Sequence, residues 1–94
     1  MKLWLNGRLK DAATARIDPA DRGFLLGDGL FETMLARAGH ISFLDEHLLR
    51  LIGAADTIGL AMPFAPDHIR DACRSLLAAN GLEDAPRVSL RATL

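Results

Sequence analysis

The chain has 94 residues, half of them apolar, and a formal net charge of -1. This length allows one domain at most, and the apolar share argues against a disordered chain. The basic residues are scattered and form no run, which argues against nucleic-acid binding, and no apolar stretch approaches the roughly 20 residues that cross a bilayer.

The only cysteine, Cys73, excludes an internal disulfide and any metal site built from cysteines. Its neighbours predict that it lies on the apolar stripe of a helix as a small buried thiol. The histidines do not fall at metal-ligand spacing, so no metal site is predicted. No signal-peptide pattern opens the chain, and a cytoplasmic location is therefore the expectation.

The first predicted element is a β-hairpin whose turn is Asn6-Gly7. This pair tolerates the positive φ angles of a type I′ turn, and strand-like residues flank it on both sides. Residues 11–29 show no clear period and carry several turn-forming residues. They predict a long ordered loop with about one helical turn, and loops of this length in a compact domain are often functional.

Residues 30–37 predict a strand, which Ala38-Gly39 turns into a second strand at residues 40–43. Alternation places Glu32 on one side of the first strand among apolar residues, and Phe31 on the other side. A carboxylate in apolar surroundings needs a partner if it is buried. The alternative is an edge strand on which Glu32 reaches water, and the pattern alone does not decide between the two.

A helix of about 15 residues is predicted next, ending at Gly59. Its apolar face consists of Leu44, Leu48, Leu51, Ile52, Ala55 and Ile58. Ser42 and Asp45 are the two candidates for its N-cap. The sequence does not choose between them.

A second helix is predicted from Pro66, in its first turn, to a stop at Asn80-Gly81. Residues 87–94 form a last predicted strand. The fold class is therefore α+β, with a small mixed or antiparallel sheet and two helices on one face. All 94 residues belong to one domain in this interpretation.

No complete catalytic constellation is found among the nucleophiles and bases of the chain. Lys2 and Lys10 belong to the first hairpin and are typical of solvated charges at a sheet edge. The serines lack the glycine-flanked context of a nucleophile elbow. We therefore predict no catalytic residue in this sequence.

Arg50 is the main candidate for a binding residue. His47 and Arg50 are three residues apart, so they share one face of the first long helix. A guanidinium can bind a phosphate through two parallel hydrogen bonds, which makes Arg50 a candidate anion clamp. The alternative is an ordinary surface pair between Arg50 and Glu46, worth about 0.3–0.5 kcal/mol.

Two motifs carry a resemblance to the class IV aminotransferase family. They are residues 27–33 (Gly-Asp-Gly-Leu-Phe-Glu-Thr) and residues 47–51 (His-Leu-Leu-Arg-Leu), and the hairpin residues 5–7 and the Asp-Arg-Gly-Phe stretch at 21–24 match as well. The family includes branched-chain aminotransferases, D-amino acid aminotransferases and aminodeoxychorismate lyases. Because the resemblance covers essentially the whole chain, it implies that residues 1–94 are the N-terminal domain of a fold-type IV pyridoxal-phosphate enzyme, without its C-terminal domain.

The resemblance also implies roles for individual residues. Arg50 matches the arginine that binds the cofactor phosphate, and Phe31 matches an aromatic residue that lines the substrate pocket. Leu26 lies where branched-chain enzymes have a tyrosine and Leu35 where they have an arginine, so both departures weaken a branched-chain assignment. Arg91 falls where some members carry an arginine that binds the substrate carboxylate.

The first expectation for the function, by resemblance, is an aminodeoxychorismate lyase of folate biosynthesis, which releases pyruvate and 4-aminobenzoate. A D-amino acid or branched-chain aminotransferase is the alternative, and either enzyme implies a homodimer that acts on a small amino substrate. The Schiff-base lysine of the family has no counterpart here, so the chain by itself is expected to be inactive. A non-catalytic interaction module is the alternative from another class.

Overall fold

Three helices and five strands make up the fold in a computed structural model that describes residues 1–94. In chain order they are β1 (Lys2–Leu5), β2 (Arg8–Asp11), α1 (Arg22–Leu26), β3 (Phe31–Arg37), β4 (His40–Ile41), α2 (Leu44–Ile58), α3 (Pro66–Ala79) and β5 (Val88–Thr93). The α+β prediction is confirmed. None of the helices combines the length and the apolar character that a membrane span requires.

The strands form two separate antiparallel sheets, where the sequence predicted a single one. β1 and β2 pair only with each other, whereas β3 lies between β4 and β5 in a three-stranded sheet. The turn of the first hairpin has the predicted positive φ angles, 49° at Asn6 and 93° at Gly7. β4 ends at Ile41, earlier than predicted, because the chain turns into α2 directly afterwards.

β3 has one buried face and one exposed face, as its alternating sequence predicts. Glu32, Met34 and Ala36 are buried, whereas Phe31 and Thr33 are exposed. Both long helices cover the buried face. The core cluster there consists of Met34, Ala36, Ile41, Cys73, Leu77 and Leu90.

Both long helices form where their apolar stripes predict them, although Ile58, at the end of the predicted apolar face of α2, is 49% exposed. α2 spans 15 residues and buries Leu48, Leu51 and Ala55. α3 has Pro66 in its first turn and buries Cys73. The prediction of a small buried thiol is therefore correct, and burial raises the pKa of that thiol.

The start of α2 differs from the prediction, because neither Ser42 nor Asp45 caps it. Phe43 occupies the N-cap position in the left-handed conformation, with φ 55° and ψ 34°, and no side chain hydrogen-bonds there. The Ser42 amide still donates to the Leu35 carbonyl at 2.9 Å, so the chain is held in the sheet until that residue. The turn into α2 consequently includes Phe43 in the left-handed region, a conformation that bulky residues rarely adopt.

The loop before β3 contains one short helix, α1, as predicted. The Asp21 side chain accepts a hydrogen bond from the Phe24 amide at the start of α1, and Gly27 ends the helix with a left-handed φ of 66°. Arg22 Nε donates to Asp28 Oδ2 at 2.9 Å across the same segment. These contacts give the Asp-Arg-Gly and Gly-Asp-Gly stretches a structural role.

The entry into β3 requires a glycine. Leu30 and Leu94 exchange two backbone hydrogen bonds, at 3.0 Å and 2.8 Å, beyond the ends of β3 and β5. A Cβ atom on Gly29 would lie 2.8 Å from the Leu94 carbonyl oxygen. Gly29 is therefore needed for strand pairing, whether or not a ligand binds nearby.

The first hairpin docks on α3 through one amide side chain and an aromatic cluster. The Lys2 amide donates to Asn80 Oδ1 at 2.7 Å, and Asn80 Nδ2 donates back to the Lys2 carbonyl at 3.0 Å. Trp4 packs edge-on against Phe64 and His68, with ring centroids 4.9 Å and 5.8 Å apart. The two sheets are thus connected through α3.

Candidate functional site

Three polar side chains meet near the start of β3: Glu32 from the strand, and His47 and Arg50 from α2. Arg50 Nε donates to Glu32 Oε1 at 2.6 Å, and Arg50 Nη2 donates to Oε2 at 2.7 Å. His47 Nδ1 lies 2.7 Å from the same Oε2 atom. Glu32 is the one buried charged residue of the chain, with 8% of its surface exposed. We refer to these three residues as the Glu32 cluster.

Local geometry brings the Glu32 cluster together. The spacing of His47 and Arg50 places them on one face of α2, as predicted. The alternation of β3 turns Glu32 toward the helices, on the same side as Met34 and Ala36. The cluster is therefore the polar end of an otherwise apolar core face.

The Glu32 carboxyl is ionised over most of the pH range. The hydrogen bond from Arg50, and then the one from His47, lower its pKa from 4.5 to about 2, although burial opposes the shift. Glu32 in turn raises the pKa of the Arg50 guanidinium. Because a carboxylate only accepts hydrogen bonds, Nδ1 of His47 is the nitrogen that carries a hydrogen.

Two alternatives drawn from the sequence are wrong. β3 is the central strand of its sheet, so Glu32 is not a solvated residue on an edge strand. Arg50 forms no ion pair with Glu46 and instead binds Glu32, 18 residues away in the sequence. A surface pair of Arg50 and Glu46 therefore does not describe this helix.

An open depression of about 330 Å³ lies beside the cluster, lined by Phe43, Glu46, His47 and Arg50. The Arg50 side chain is 70% exposed although it binds a buried carboxylate. Its contacts with Glu32 use Nε and Nη2 and leave Nη1 without a protein partner. Arg50 thus keeps hydrogen-bond donors for an anion in this depression, whereas Glu46 adds negative charge to the same wall.

Phe43 is a residue of this site that the sequence did not single out. It is exposed, and it lines the depression from a strained backbone position. Neither property has a sequence signal, because both depend on how tightly β4 is joined to α2. The sequence indicated that Glu32 would need a partner if it were buried, but it decided neither the burial nor the identity of the partners.

Phe31 and Arg91 meet on the opposite face of the sheet from Glu32. Arg91 Cζ lies 3.9 Å from the centroid of the Phe31 ring, in cation–π contact. Arg91 Nε also donates to Thr93 Oγ1 at 3.3 Å. Arg91 pairs with Thr33 in the β3–β5 register, and Thr93 pairs with Phe31, so the contact is diagonal across two strands. Two of the predicted substrate-binding residues are thus brought together.

The remaining candidate, Leu26, lies in α1. This helix buries none of its residues, and its apolar side chains Phe24, Leu25 and Leu26 are all exposed. Leu35 is half-buried on the same face of β3 as Phe31. No group of three or more histidine, cysteine, aspartate or glutamate side chains is placed to hold a metal ion.

Comparisons with known proteins identify relatives of the whole chain. Residues 29–94 match the family described as amino-transferase class IV. A Methanocaldococcus jannaschii protein whose name assigns it as a branched-chain-amino-acid aminotransferase is 35% identical over 85 residues, which cover 90% of this chain and 30% of that protein. A D-alanine aminotransferase of Bacillus licheniformis is 33% identical over 84 residues, which cover 89% of this chain and 30% of that enzyme.

A solved structure has the same fold. The crystal structure of a branched-chain aminotransferase from the thermophilic archaeon Thermoproteus uzoniensis, with norvaline, matches with a TM-score of 0.87 and 30% identity. The match covers 99% of this chain and 32% of that one. The chain therefore spans about 30% of the length of the curated relatives described above. All three proteins carry aminotransferase names, which favours the aminotransferase alternative over the lyase.

Proposed function

Since this chain belongs to the class IV aminotransferase family, as its motifs predicted, we propose that it forms the N-terminal domain of a pyridoxal-phosphate-dependent aminotransferase. When bound, pyridoxal phosphate supplies the electron sink for chemistry on an amino substrate, and the protein supplies binding and orientation. The proposal is carried by 33–35% identity to proteins named aminotransferases over 89–90% of the chain.

Arg50 is the proposed clamp for the cofactor phosphate. Its guanidinium is mostly exposed, and its pKa is raised by Glu32, so it stays charged. Because Glu32 takes the edge formed by Nε and Nη2, a phosphate has to bind the edge formed by Nη1 and the second hydrogen of Nη2. Arg50 is the only arginine or lysine in the lining, where Glu46 carries the opposite charge, so we expect further donors from other parts of the enzyme.

Phe31, Leu26 and Arg91 are the proposed residues on the substrate side. Arg91 is held between the Phe31 ring and the Thr93 hydroxyl, so its guanidinium has a defined place on the open face of the sheet. A guanidinium in such a place suits a substrate carboxylate. Phe31 and Glu32 are adjacent at the start of β3 but face opposite sides. A ligand that contacts both Arg50 and Phe31 therefore has to cross the end of this strand.

Amino-group transfer is the reaction that the relatives favour. Their names point to D-alanine and to branched-chain amino acids at similar identity, so identity does not choose between these substrates. The residues at positions 26 and 35 depart from the branched-chain pattern. The proposal therefore places D-amino acids first and branched-chain amino acids second. A homodimer is part of the same proposal, and the exposed apolar residues of α1 suit such an assembly.

Activity assays on the complete gene product that contains these residues test the reaction. D-alanine and L-leucine are offered separately with 2-oxoglutarate, and glutamate formation is measured. Release of 4-aminobenzoate from aminodeoxychorismate is measured in parallel. We expect amino-group transfer from one of the two donors and no 4-aminobenzoate. Release of 4-aminobenzoate without transfer would establish the lyase instead, and the absence of both reactions together with no binding of pyridoxal phosphate would favour the interaction module.

Replacement of Arg50 tests the phosphate clamp. Arg50→Lys keeps the charge but loses the paired donors, so the affinity for pyridoxal phosphate should fall by about 1.5–3 kcal/mol. Arg50→Ala should lower it further. Calorimetric titration of the complete gene product measures both changes, and pyridoxal, which has no phosphate, is the matched control ligand. Equal affinities of wild type and Arg50→Ala for pyridoxal phosphate would contradict the clamp.

A further inference from the structure

The Glu32 cluster contains more than an anion clamp requires. An arginine that only had to attract a phosphate would keep all of its donors free. Arg50 instead gives two of its nitrogens to Glu32, at 2.6 Å and 2.7 Å. The carboxylate that receives them is buried in the central strand, and His47 binds it from a second direction. This arrangement places a negative charge beside a residue that is proposed to bind an anion. The presence of Glu32 therefore needs an explanation of its own.

We infer that Glu32 is a positioning residue, which fixes the edge of the Arg50 guanidinium that meets the cofactor phosphate. The inference rests on the proposed function, in which Arg50 binds that phosphate. In this role Glu32 acts only through Arg50 and does not touch the cofactor. His47 holds the Glu32 carboxylate in place and therefore contributes to the same positioning of Arg50.

The donor geometry of arginine supports this role. A guanidinium is planar and carries five N–H groups in a fixed fork. The side-on contact with Glu32 uses the Nε hydrogen and one hydrogen of Nη2. Both hydrogens of Nη1 and the second hydrogen of Nη2 remain. One hydrogen of Nη1 and the second hydrogen of Nη2 form a second pair on the adjacent edge, and this pair matches two oxygens of a phosphate.

Burial of Glu32 makes the positioning effective. The Arg50 side chain is 70% exposed, and a long exposed side chain normally samples many rotamers. Glu32 is only 8% exposed and belongs to the central strand of its sheet. Its two hydrogen bonds therefore restrict the guanidinium at the end of the exposed Arg50 side chain to one position relative to β3. A donor pair that is already ordered loses less entropy when an anion binds.

Glu32 also repels an anion, so the two effects have to be weighed. The phosphate would bind the adjacent edge of the guanidinium, formed by Nη1 and Nη2, with the positive group between the two negative ones. The Arg50 side chain is 70% exposed, so water and salt screen the repulsion there. The ordering of the Arg50 side chain, by contrast, is lost in full when its two hydrogen bonds to Glu32 are removed. We therefore expect positioning to outweigh repulsion, so that removal of the Glu32 charge weakens phosphate binding.

Glu32→Gln in the complete gene product is the test. Glutamine keeps the shape of the side chain but replaces one acceptor oxygen with an amide nitrogen, which cannot accept from Arg50 or His47. Calorimetric titration gives the affinities for pyridoxal phosphate and for pyridoxal. We expect about a five- to thirtyfold loss for pyridoxal phosphate and a change within about twofold for pyridoxal. Glu83→Gln, the same substitution at an exposed residue outside the cluster, is the control and should change neither affinity.

A double variant shows whether Glu32 acts through Arg50. In an Arg50→Ala background, Glu32→Gln should leave the affinity for pyridoxal phosphate unchanged, because no guanidinium is left to position. If Glu32→Gln does not fold, Glu32→Asp replaces it. Aspartate keeps the charge but withdraws the carboxylate from Arg50 by one methylene. It should therefore lower the affinity for pyridoxal phosphate relative to the affinity for pyridoxal.

Two results would overturn the inference. One is an unchanged or tighter affinity of Glu32→Gln for pyridoxal phosphate, and the other is an equal loss for both ligands, which a merely structural residue would produce. The proposed function fails separately. If Arg50→Ala binds pyridoxal phosphate as the wild type does, Arg50 is not the clamp. If only Glu32→Gln binds normally, the clamp stands and the positioning role does not.

Discussion

The two faces of β3, a strand of seven residues, differ in burial and in the contacts that they make. On the covered face, Met34 and Ala36 are almost fully buried under the helices, and Glu32 ends the row in an ionic cluster. On the open face, Phe31 and Thr33 are exposed, and the main contact is a cation–π pair with Arg91. Alternate residues of one strand thus experience nearly opposite surroundings.

The difference separates stability from recognition. Apolar area removed from water stabilises a fold, and the fully buried apolar residues of β3, Met34 and Ala36, lie on the covered face. The open face contributes little to folding, so its residues are free to serve a ligand or a partner surface. Glu32 is the exception, because its carboxylate is buried with the core while its partner Arg50 extends into solvent.

The largest expected difference between the faces is in core packing. Met34 is only 2% exposed. Its replacement by alanine should lower the free energy of unfolding by about 2–5 kcal/mol, because transfer free energy is lost and a cavity is left behind. Thr33→Ala, one position away on the open face, should change it by no more than about 0.5 kcal/mol. Urea unfolding followed by far-UV circular dichroism measures both. Similar losses of unfolding free energy at the two positions would show that the two faces of β3 do not differ in their contribution to stability.

A smaller effect, with a defined pH dependence, is expected for Glu32. Its folded-state pKa of about 2 lies below its usual value of 4.5, so ionised Glu32 stabilises the fold above the usual value. This contribution is lost progressively as the pH falls from about 5 through the folded-state pKa of about 2. Glu32→Gln should therefore cost on the order of 1–2 kcal/mol at pH 7, discounted because Arg50 is exposed.

Urea unfolding at a series of pH values tests this sign. The difference in unfolding free energy between wild type and Glu32→Gln should shrink as the pH falls and approach zero only below about pH 2. Glu83→Gln is the matched control, because Glu83 is exposed and forms no ion pair. A difference that stays constant with pH would show that the Glu32 charge does not stabilise the covered face.

The smallest effect should come from the open face. The coupling energy between Phe31 and Arg91 should be about 0.5–1 kcal/mol, the usual size of an exposed cation–π contact. A double-mutant cycle with Phe31→Leu and Arg91→Ala, measured by urea unfolding, isolates this term. A coupling energy well above this range would mean that the open face also helps to stabilise the fold.

Most of the fold could be predicted from the sequence, because its signals are local. The 15-residue span of α2 follows from one apolar stripe and a terminal glycine. The faces of β3 follow from alternation, and the first turn follows from Asn6-Gly7. Each of these features is decided by residues within a few positions of one another.

The site was predicted less completely, because its contacts join residues distant in sequence. Alternation placed Glu32 among apolar residues, where it would need a partner if buried, and helix spacing put His47 beside Arg50. What joined the two observations was the way in which α2 crosses β3, and no local pattern contains that information. The N-cap was missed for a similar reason, since Phe43 adopts its conformation under the constraint of a short connection and against its own preference.

The link between Asn80 and Lys2 has a consequence for the first hairpin. A primary amide offers one donor and one acceptor side by side, as a peptide group does, and Asn80 presents both to the amide and carbonyl of Lys2. The side chain thus imitates one rung of a neighbouring strand on the outer edge of β1. A shift of β1 by one residue would turn that edge of the backbone away from Asn80. One asparagine therefore sets the register of the amino-terminal strand against a helix, with no third strand present.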